Sequence, residues 1–165
     1  MATRILGIDP GLNCTGYGVI DVVDNEFVLV EAGVVRSQRT RPLAERLLEL
    51  HGGICEVMES LAPEVMALEE VFSHYERPKT AILMGHARGV INLAAAQIGI
   101  EVRSYAPNQV KQIMTGNGHA SKVQMQLAVA NFFGWDTPPT PHDVADALSI
   151  ALCHAFTSRN PLLQS

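Results

Sequence analysis

The sequence predicts an α/β domain with a five-stranded mixed sheet flanked by helices, in which antiparallel strands 1–3 come first and helix-connected strands follow. Three observations predict it. The chain opens with three short apolar runs joined by connections of turn length, the pattern of antiparallel neighbours. Two later apolar runs are separated by segments of helical periodicity, which is how parallel strands are joined. Finally, 165 residues of which 47% are hydrophobic suffice for one core but not two. One domain is therefore expected over residues 1–158, followed by a frayed tail at 159–165.

Arg4 to Asp9 (Arg-Ile-Leu-Gly-Ile-Asp) reads as a buried strand ended by Pro10-Gly11. Thr15 to Val23 and Phe27 to Val35 are β-branched and apolar, with Asp24-Asn25-Glu26 as the connection between them. Pro42 opens a helix in which Leu43, Leu47, Leu50, Ile54, Val57, Met58 and Leu61 recur at helical spacing, with glutamates outside. Gly52-Gly53 is the weak spot in it, where a kink would fall. Pro63 ends that helix, and Val65 to Leu68 forms a fourth strand running into Glu69-Glu70. A helix over Thr80–Gln97 is rich in Ala and Gly, small enough to let another helix approach closely. Ile100 to Tyr105 is the fifth strand, and Pro107 starts a short helix. Ser121-Lys-Val-Gln124 fits a capping box for a helix ending near Phe133, and after a proline-rich loop the last helix spans His142–Phe156.

Composition excludes several classes. No apolar run approaches the ~20 residues needed to span a bilayer, and the N-terminus enters a strand at once, without the pattern of an export signal. Cys14, Cys55 and Cys153 are far apart and fit neither a metal knuckle nor a disulfide framework, so they read as reduced thiols of a cytoplasmic protein. The net charge of −5 speaks against a polyanionic partner until its distribution is considered. From Phe72 to Phe132 six basic residues face two acids, whereas the rest of the chain holds six basic residues against fifteen acids. Such a chain can turn one basic face to a polyanion while gathering carboxylates elsewhere; scatter over a solvated surface is the alternative.

Four acids stand in unusual places. Asp9 and Glu69 each end an apolar strand, and Asp143 and Asp146 lie one turn apart at the start of an otherwise apolar helix, on one face. Singly each has a plain structural reading: a turn, a solvated glutamate, or acids favoured by the positive end of a helix dipole. If the two strands are sheet neighbours, however, all four meet at one edge. Like charges ~4 Å apart cost on the order of 4 kcal/mol at an effective dielectric of 20, a repulsion that divalent cations offset. Oxygen-only ligands suit Mg²⁺ or Mn²⁺ rather than zinc, and two such ions suit in-line phosphodiester hydrolysis.

Gly7-Ile-Asp9-Pro-Gly11 with Thr15-Gly-Tyr-Gly-Val19, then Ala67-Leu-Glu69-Glu-Val-Phe72, Gly85-His-Ala-Arg-Gly-Val90, Gln109-Val-Lys-Gln112 and Asp143-Val-Ala-Asp-Ala-Leu148, closely resemble the RuvC family of bacterial Holliday junction resolvases, in order over nearly the whole chain. The resemblance implies an RNase H-like fold and a homodimer acting on a four-way DNA junction in recombination and repair. It implies paired Mg²⁺-dependent nicks in two strands of like polarity, two ions per active site with Mn²⁺ as substitute, and ligatable 5′-phosphate and 3′-hydroxyl ends. A branch-migration helicase complex of the RuvA/RuvB type is the implied partner. Carried over by position, Asp9, Glu69, Asp143 and Asp146 are the catalytic, metal-binding acids. Phe72 matches an aromatic at the junction-facing surface, suited to base stacking, although a core phenylalanine is the other reading. Lys111 and Lys122 match basic residues near the scissile phosphate; ordinary solvated lysines are the alternative, which the dipole at the start of its helix disfavours for Lys122. Arg88 is read as structural.

Departures from the family pattern are equally visible. The third acid's position is sometimes histidine in the family, and His142 here precedes Asp143; since a helix turns ~100° per residue, only one of them points inward. Glu70 stands where glutamine is common and is expected to face away from Glu69's side of the strand. The tail holds Arg159 as its one basic residue. Competing readings are a non-catalytic junction-binding protein, a ribonuclease H using the same metals, and a sugar-kinase or actin-like ATPase, for whose second domain the chain has no room.

Overall fold

The computed structural model describes residues 2–71 and 77–163. Strands β1 (Thr3–Asp9), β2 (Cys14–Val23) and β3 (Glu26–Arg36) come first, followed by helix α1 (Leu43–Leu61), strand β4 (Val65–Glu69), helix α2 (Pro78–Gln97) and strand β5 (Glu101–Tyr105). Helices α3 (Pro107–Thr115), α4 (Lys122–Phe133) and α5 (His142–Arg159) complete the order. The sheet has five strands in the order β3-β2-β1-β4-β5. β1, β2 and β3 are antiparallel neighbours, and β1, β4 and β5 run parallel. Among the described residues no helix is long and apolar enough to cross a membrane.

Local chemistry explains the turns. Asp24 and Asn25 have φ of 47° and 76°, so the β2–β3 connection is a two-residue turn with both central residues left-handed, a conformation that Asn and Asp tolerate. At α4 the expected capping box is complete: the Ser121 hydroxyl accepts from the Gln124 N–H while the Gln124 side chain accepts from the Ser121 N–H. Gly116 and Gly134 close α3 and α4 in the left-handed region, where a side chain is strained.

Alternation along β1 and β4 divides the interior into two cores. Leu6, Ile8, Met66 and Leu68 pack against Leu50, Ile54 and Met58 of α1 and Ala87, Ile91 and Ala94 of α2. Ile5, Val65 and Ala67 face the other side, where Val110 of α3, Met125 and Val129 of α4, and α5 cover the sheet. On this side the backbones come very close. A Cβ on Gly7 would lie 2.2 Å from the Ala147 carbonyl oxygen, one on Gly16 2.1 Å from the Asp143 carbonyl oxygen, and one on Gly18 2.6 Å from Leu148 Cδ2. These three glycines form a seam into which α5 settles.

Two expectations need correction. α1 runs unbroken through Gly52-Gly53; a Cβ on Gly53 would meet Val35 Cγ1 at 2.4 Å, so this glycine makes room for β3 rather than a kink. α5 continues past Phe156 to Arg159, and Pro161–Leu163 form a 3-10 turn, because Arg159 lies over the Phe27 ring at 5.5 Å and Phe156 packs on the same ring.

Candidate active site

β1 and β4 are adjacent and parallel, with Ile8 opposite Leu68, so Asp9 and Glu69 leave the sheet side by side at its C-terminal edge. Both carry the parity of Gly7 and Ala67, which places their side chains toward α5. The glycine seam then delivers the remaining acids: with Gly16 under Asp143 and Gly7 under Ala147, the first turn of α5 rests directly on β1 and β2. Asp9, Glu69 and Asp146 line a cavity of about 220 Å³ together with Lys111 and Lys122. Asp9, Asp143, Asp146 and Lys122 also line an adjoining groove of about 620 Å³.

The electrostatics are those of crowded, buried acids. Asp9 is raised well above the ordinary carboxylate range, first by burial and then by the charges of Glu69, Asp146 and Asp143. Glu69 and Asp146 are the acids whose charges press on it most strongly. Glu69 is also raised by burial, although its hydrogen bond to Asp9 and the charges of Lys111 and Lys122 pull the other way. Burial raises Asp146 too, opposed most strongly by Lys122 and then by His142.

Asp143 stands at the margin of this cluster. Its side chain is 20% exposed against 48% for His142, and the two approach at 3.8 Å. Asp143 also hydrogen-bonds the Cys14 thiol, whose pKa is raised first by burial and then by this carboxylate. Both Asp143 and His142 border the groove, but Asp143 is the one whose charge reaches Asp9. Glu70 lines neither cavity; its N–H donates to the Tyr105 carbonyl.

The two lysines are fixed from different elements. Lys111 sits on α3, just beyond its Pro107 start. Lys122 is the first residue of α4, held there by the Ser121 capping box and by the loop before it, where the Gln112 side chain accepts from the Gly118 N–H and donates to the Gly116 carbonyl. Arg88 donates to Ser104 Oγ at 3.1 Å, a structural contact. Phe72 lies outside the described residues. Sequence reasoning missed Arg36 and Arg39, which line the larger groove. The signal was present, since residues 36–46 hold four arginines against one acid, Glu45.

The donor set suits a hard divalent cation. Asp9, Glu69 and Asp146 converge on one cavity with no thiolate–imidazole set, Asp143 stands at its margin, burial disfavours the joint ionisation of the first three, and an ion of charge +2 would offset that cost. Among the described residues no three donors already surround a single coordination point. The chemical fit therefore rests on ligand type and crowding.

Comparison with known proteins decides the family. The profile of the family described as "Crossover junction endodeoxyribonuclease RuvC" matches residues 5–154. The chain belongs to the RuvC family. The crossover junction endodeoxyribonuclease RuvC of Rhodopirellula baltica is 54% identical over 164 residues, covering 99% of this chain and 92% of that protein. Among solved structures, Thermus thermophilus RuvC superposes with a TM-score of 0.86 at 38% identity, covering 95% of this chain and 96% of the other. The same protein in complex with a Holliday junction substrate gives a TM-score of 0.87 at 37% identity and 95% coverage of both chains. The sheet described above is thus the RNase H-like fold of RuvC, and the chain is a nuclease of a family whose chemistry uses a divalent metal.

Proposed function

We propose that this chain resolves four-way DNA junctions by paired symmetric nicks, with Asp9, Glu69, Asp143 and Asp146 as catalytic acids that hold two Mg²⁺ ions, for which Mn²⁺ substitutes. The observation that carries the reading is the meeting of two strand-end acids and a helix acid in one cleft bordered by two lysines. When bound, the ions supply water activation and leaving-oxygen stabilisation for in-line hydrolysis, giving 5′-phosphate and 3′-hydroxyl ends. Asp9, the most deeply crowded of the acids, anchors the set from the rigid sheet. Asp146 and Asp143 complete it from a helix whose approach the glycine seam fixes. Lys111 and Lys122 attract and orient the scissile phosphate, which the acids alone would repel. Phe72 follows Glu69 by three residues and is assigned to stacking on a junction base.

Symmetric cutting needs two such clefts, so the active species is a homodimer. The exposed face of α2 supports this: Ile82 and Leu93 are 61% and 54% exposed, and Gly85 and Gly89 between them meet nothing within 4 Å. That strip allows close helix–helix approach. A branch-migration helicase complex of the RuvA/RuvB type supplies the junction in the bacterial cytoplasm. The test incubates purified protein with an end-labelled four-way junction in Mg²⁺, in Mn²⁺ and in EDTA. Paired nicks that a ligase seals, absent in EDTA, are the expected products. Tight binding without cleavage in either metal, across several core sequences, would contradict the reading.

A further inference from the structure

Phosphodiester cleavage next to four carboxylates needs positive charge on the DNA strand's path as well as at the cut. Lys111 supplies it on the α3 side, and Lys122 stands where the two hollows meet. The cavity both lysines border shares Asp9, Asp146 and Lys122 with the larger groove, which continues from the acids past the Pro10–Cys14 loop to Arg36 and Arg39. Arg36 ends β3 directly opposite Cys14 in the strand register, so its position is tied to the loop that follows Asp9.

The four arginines of residues 36–46 divide into two pairs. Arg41 is ion-paired with Glu49 at 3.0 Å and bonded to Gln38. Arg46 donates to Ser37 Oγ and to the Asn13 side chain, while the Ser37 hydroxyl donates to the Leu12 carbonyl. Arg41 ties the segment to α1, and Arg46 ties it to the loop that follows Asp9. Arg36 and Arg39 are exposed, and no salt bridge with an acid engages either one among the described residues. A rigid mount thus presents two available guanidinium groups to a groove that leads to the acids. Guanidinium binds phosphate in a fork that matches its oxygens.

We propose that Arg36 and Arg39 are positioning residues that grip backbone phosphates of the cleaved strand on the side of the acids opposite Lys111. The strand is then held on both flanks of the cut. The inference rests on the junction-cleaving function proposed above and adds to it a second wall for the DNA.

Junction binding is measured by fluorescence anisotropy in EDTA over a range of KCl concentrations, for the unaltered protein, for Arg36→Gln/Arg39→Gln and for Arg36→Lys/Arg39→Lys. Cleavage in Mg²⁺ is followed under single-turnover conditions. The glutamine pair is expected to reduce the slope of log K against log salt by about 0.9 for each phosphate that the protein no longer neutralises. It should also raise the protein concentration for half-maximal cleavage while the saturated rate stays near that of the unaltered protein. The lysine pair restores the slope, and Arg41→Gln leaves it in place. If the unaltered protein binds and cuts but the glutamine pair keeps its slope and half-saturation, this inference is overturned and the nuclease reading stands. If the unaltered protein neither binds nor cuts junctions, the nuclease reading itself fails.

Discussion

Leu6 and Gly7 are neighbours in β1, yet they serve opposite needs. Leu6 points into the core beneath α1 and α2, where bulky side chains fill the space between sheet and helices. Gly7 faces α5, where the Ala147 carbonyl oxygen occupies the place a Cβ would take. The first face holds the sheet by volume, the second by backbone approach. Only the second carries the acids, because a carboxylate on a short side chain is placed by its backbone. Stability and site geometry are therefore written into alternate residues of the same strands.

Substitutions on the two faces test that division. Gly7→Ala drives a methyl into the Ala147 carbonyl and lifts α5 off β1. It is expected to cost about 1–3 kcal/mol of stability and, by moving Asp143 and Asp146 relative to Asp9, to slow cleavage by about 100-fold at 25 °C. Thermal melting and single-turnover cleavage on one preparation would check both numbers. Leu6→Ala opens a cavity in the other core and is expected to cost about 2–5 kcal/mol, while the cleavage rate per folded molecule at 25 °C stays near that of the unaltered protein. A Leu6→Ala enzyme that lost activity as Gly7→Ala does would break the comparison.

The α5 side also contains a buried titratable pair, which gives a smaller effect. The Tyr105 hydroxyl lies 2.6 Å from His154 Nδ1. Burial pushes the Tyr105 pKa to about 12, so this hydroxyl keeps its proton. Burial first, and then the Arg103 guanidinium, lowers the His154 pKa below its ordinary 6.5. Between the lowered value and 6.5 the unfolded chain binds the extra proton, so this contribution to stability is complete above pH 6.5 and is lost as pH falls through the folded-state value. Melting temperature is expected to fall less steeply on acidification below pH 6.5 in His154→Gln than in the unaltered protein.

Much of this was legible in the sequence for identifiable reasons. Hydrophobic alternation, proline and capping signals placed the strands and helices, and the acids stood out because Asp9 and Glu69 interrupt apolar runs. What pattern alone does not carry is close approach in space. Gly53 looked like a helix breaker because spacing within α1 says nothing of Val35 across the interface. Gly7, Gly16 and Gly18 left a trace, since glycines on one face of two adjacent strands mark a surface for a helix. Arg36 and Arg39 were obscured by weighing charge over one long window, in which a short arginine-rich stretch vanished among the acids around it. The end of α5 depended on aromatic contacts with β3, far away in the chain.

The most direct test of the acid cleft substitutes Asp9, the carboxylate from which the others are arranged. Asp9→Asn keeps the shape of the side chain and removes its charge. Junction binding in EDTA and cleavage in Mg²⁺ would be measured side by side on the same four-way junction. Binding at least as tight as that of the unaltered protein, with cleavage slowed on the order of a thousandfold or more, is the expected result. Cleavage at the ordinary rate by a folded Asp9→Asn protein would contradict the assignment of the cleft.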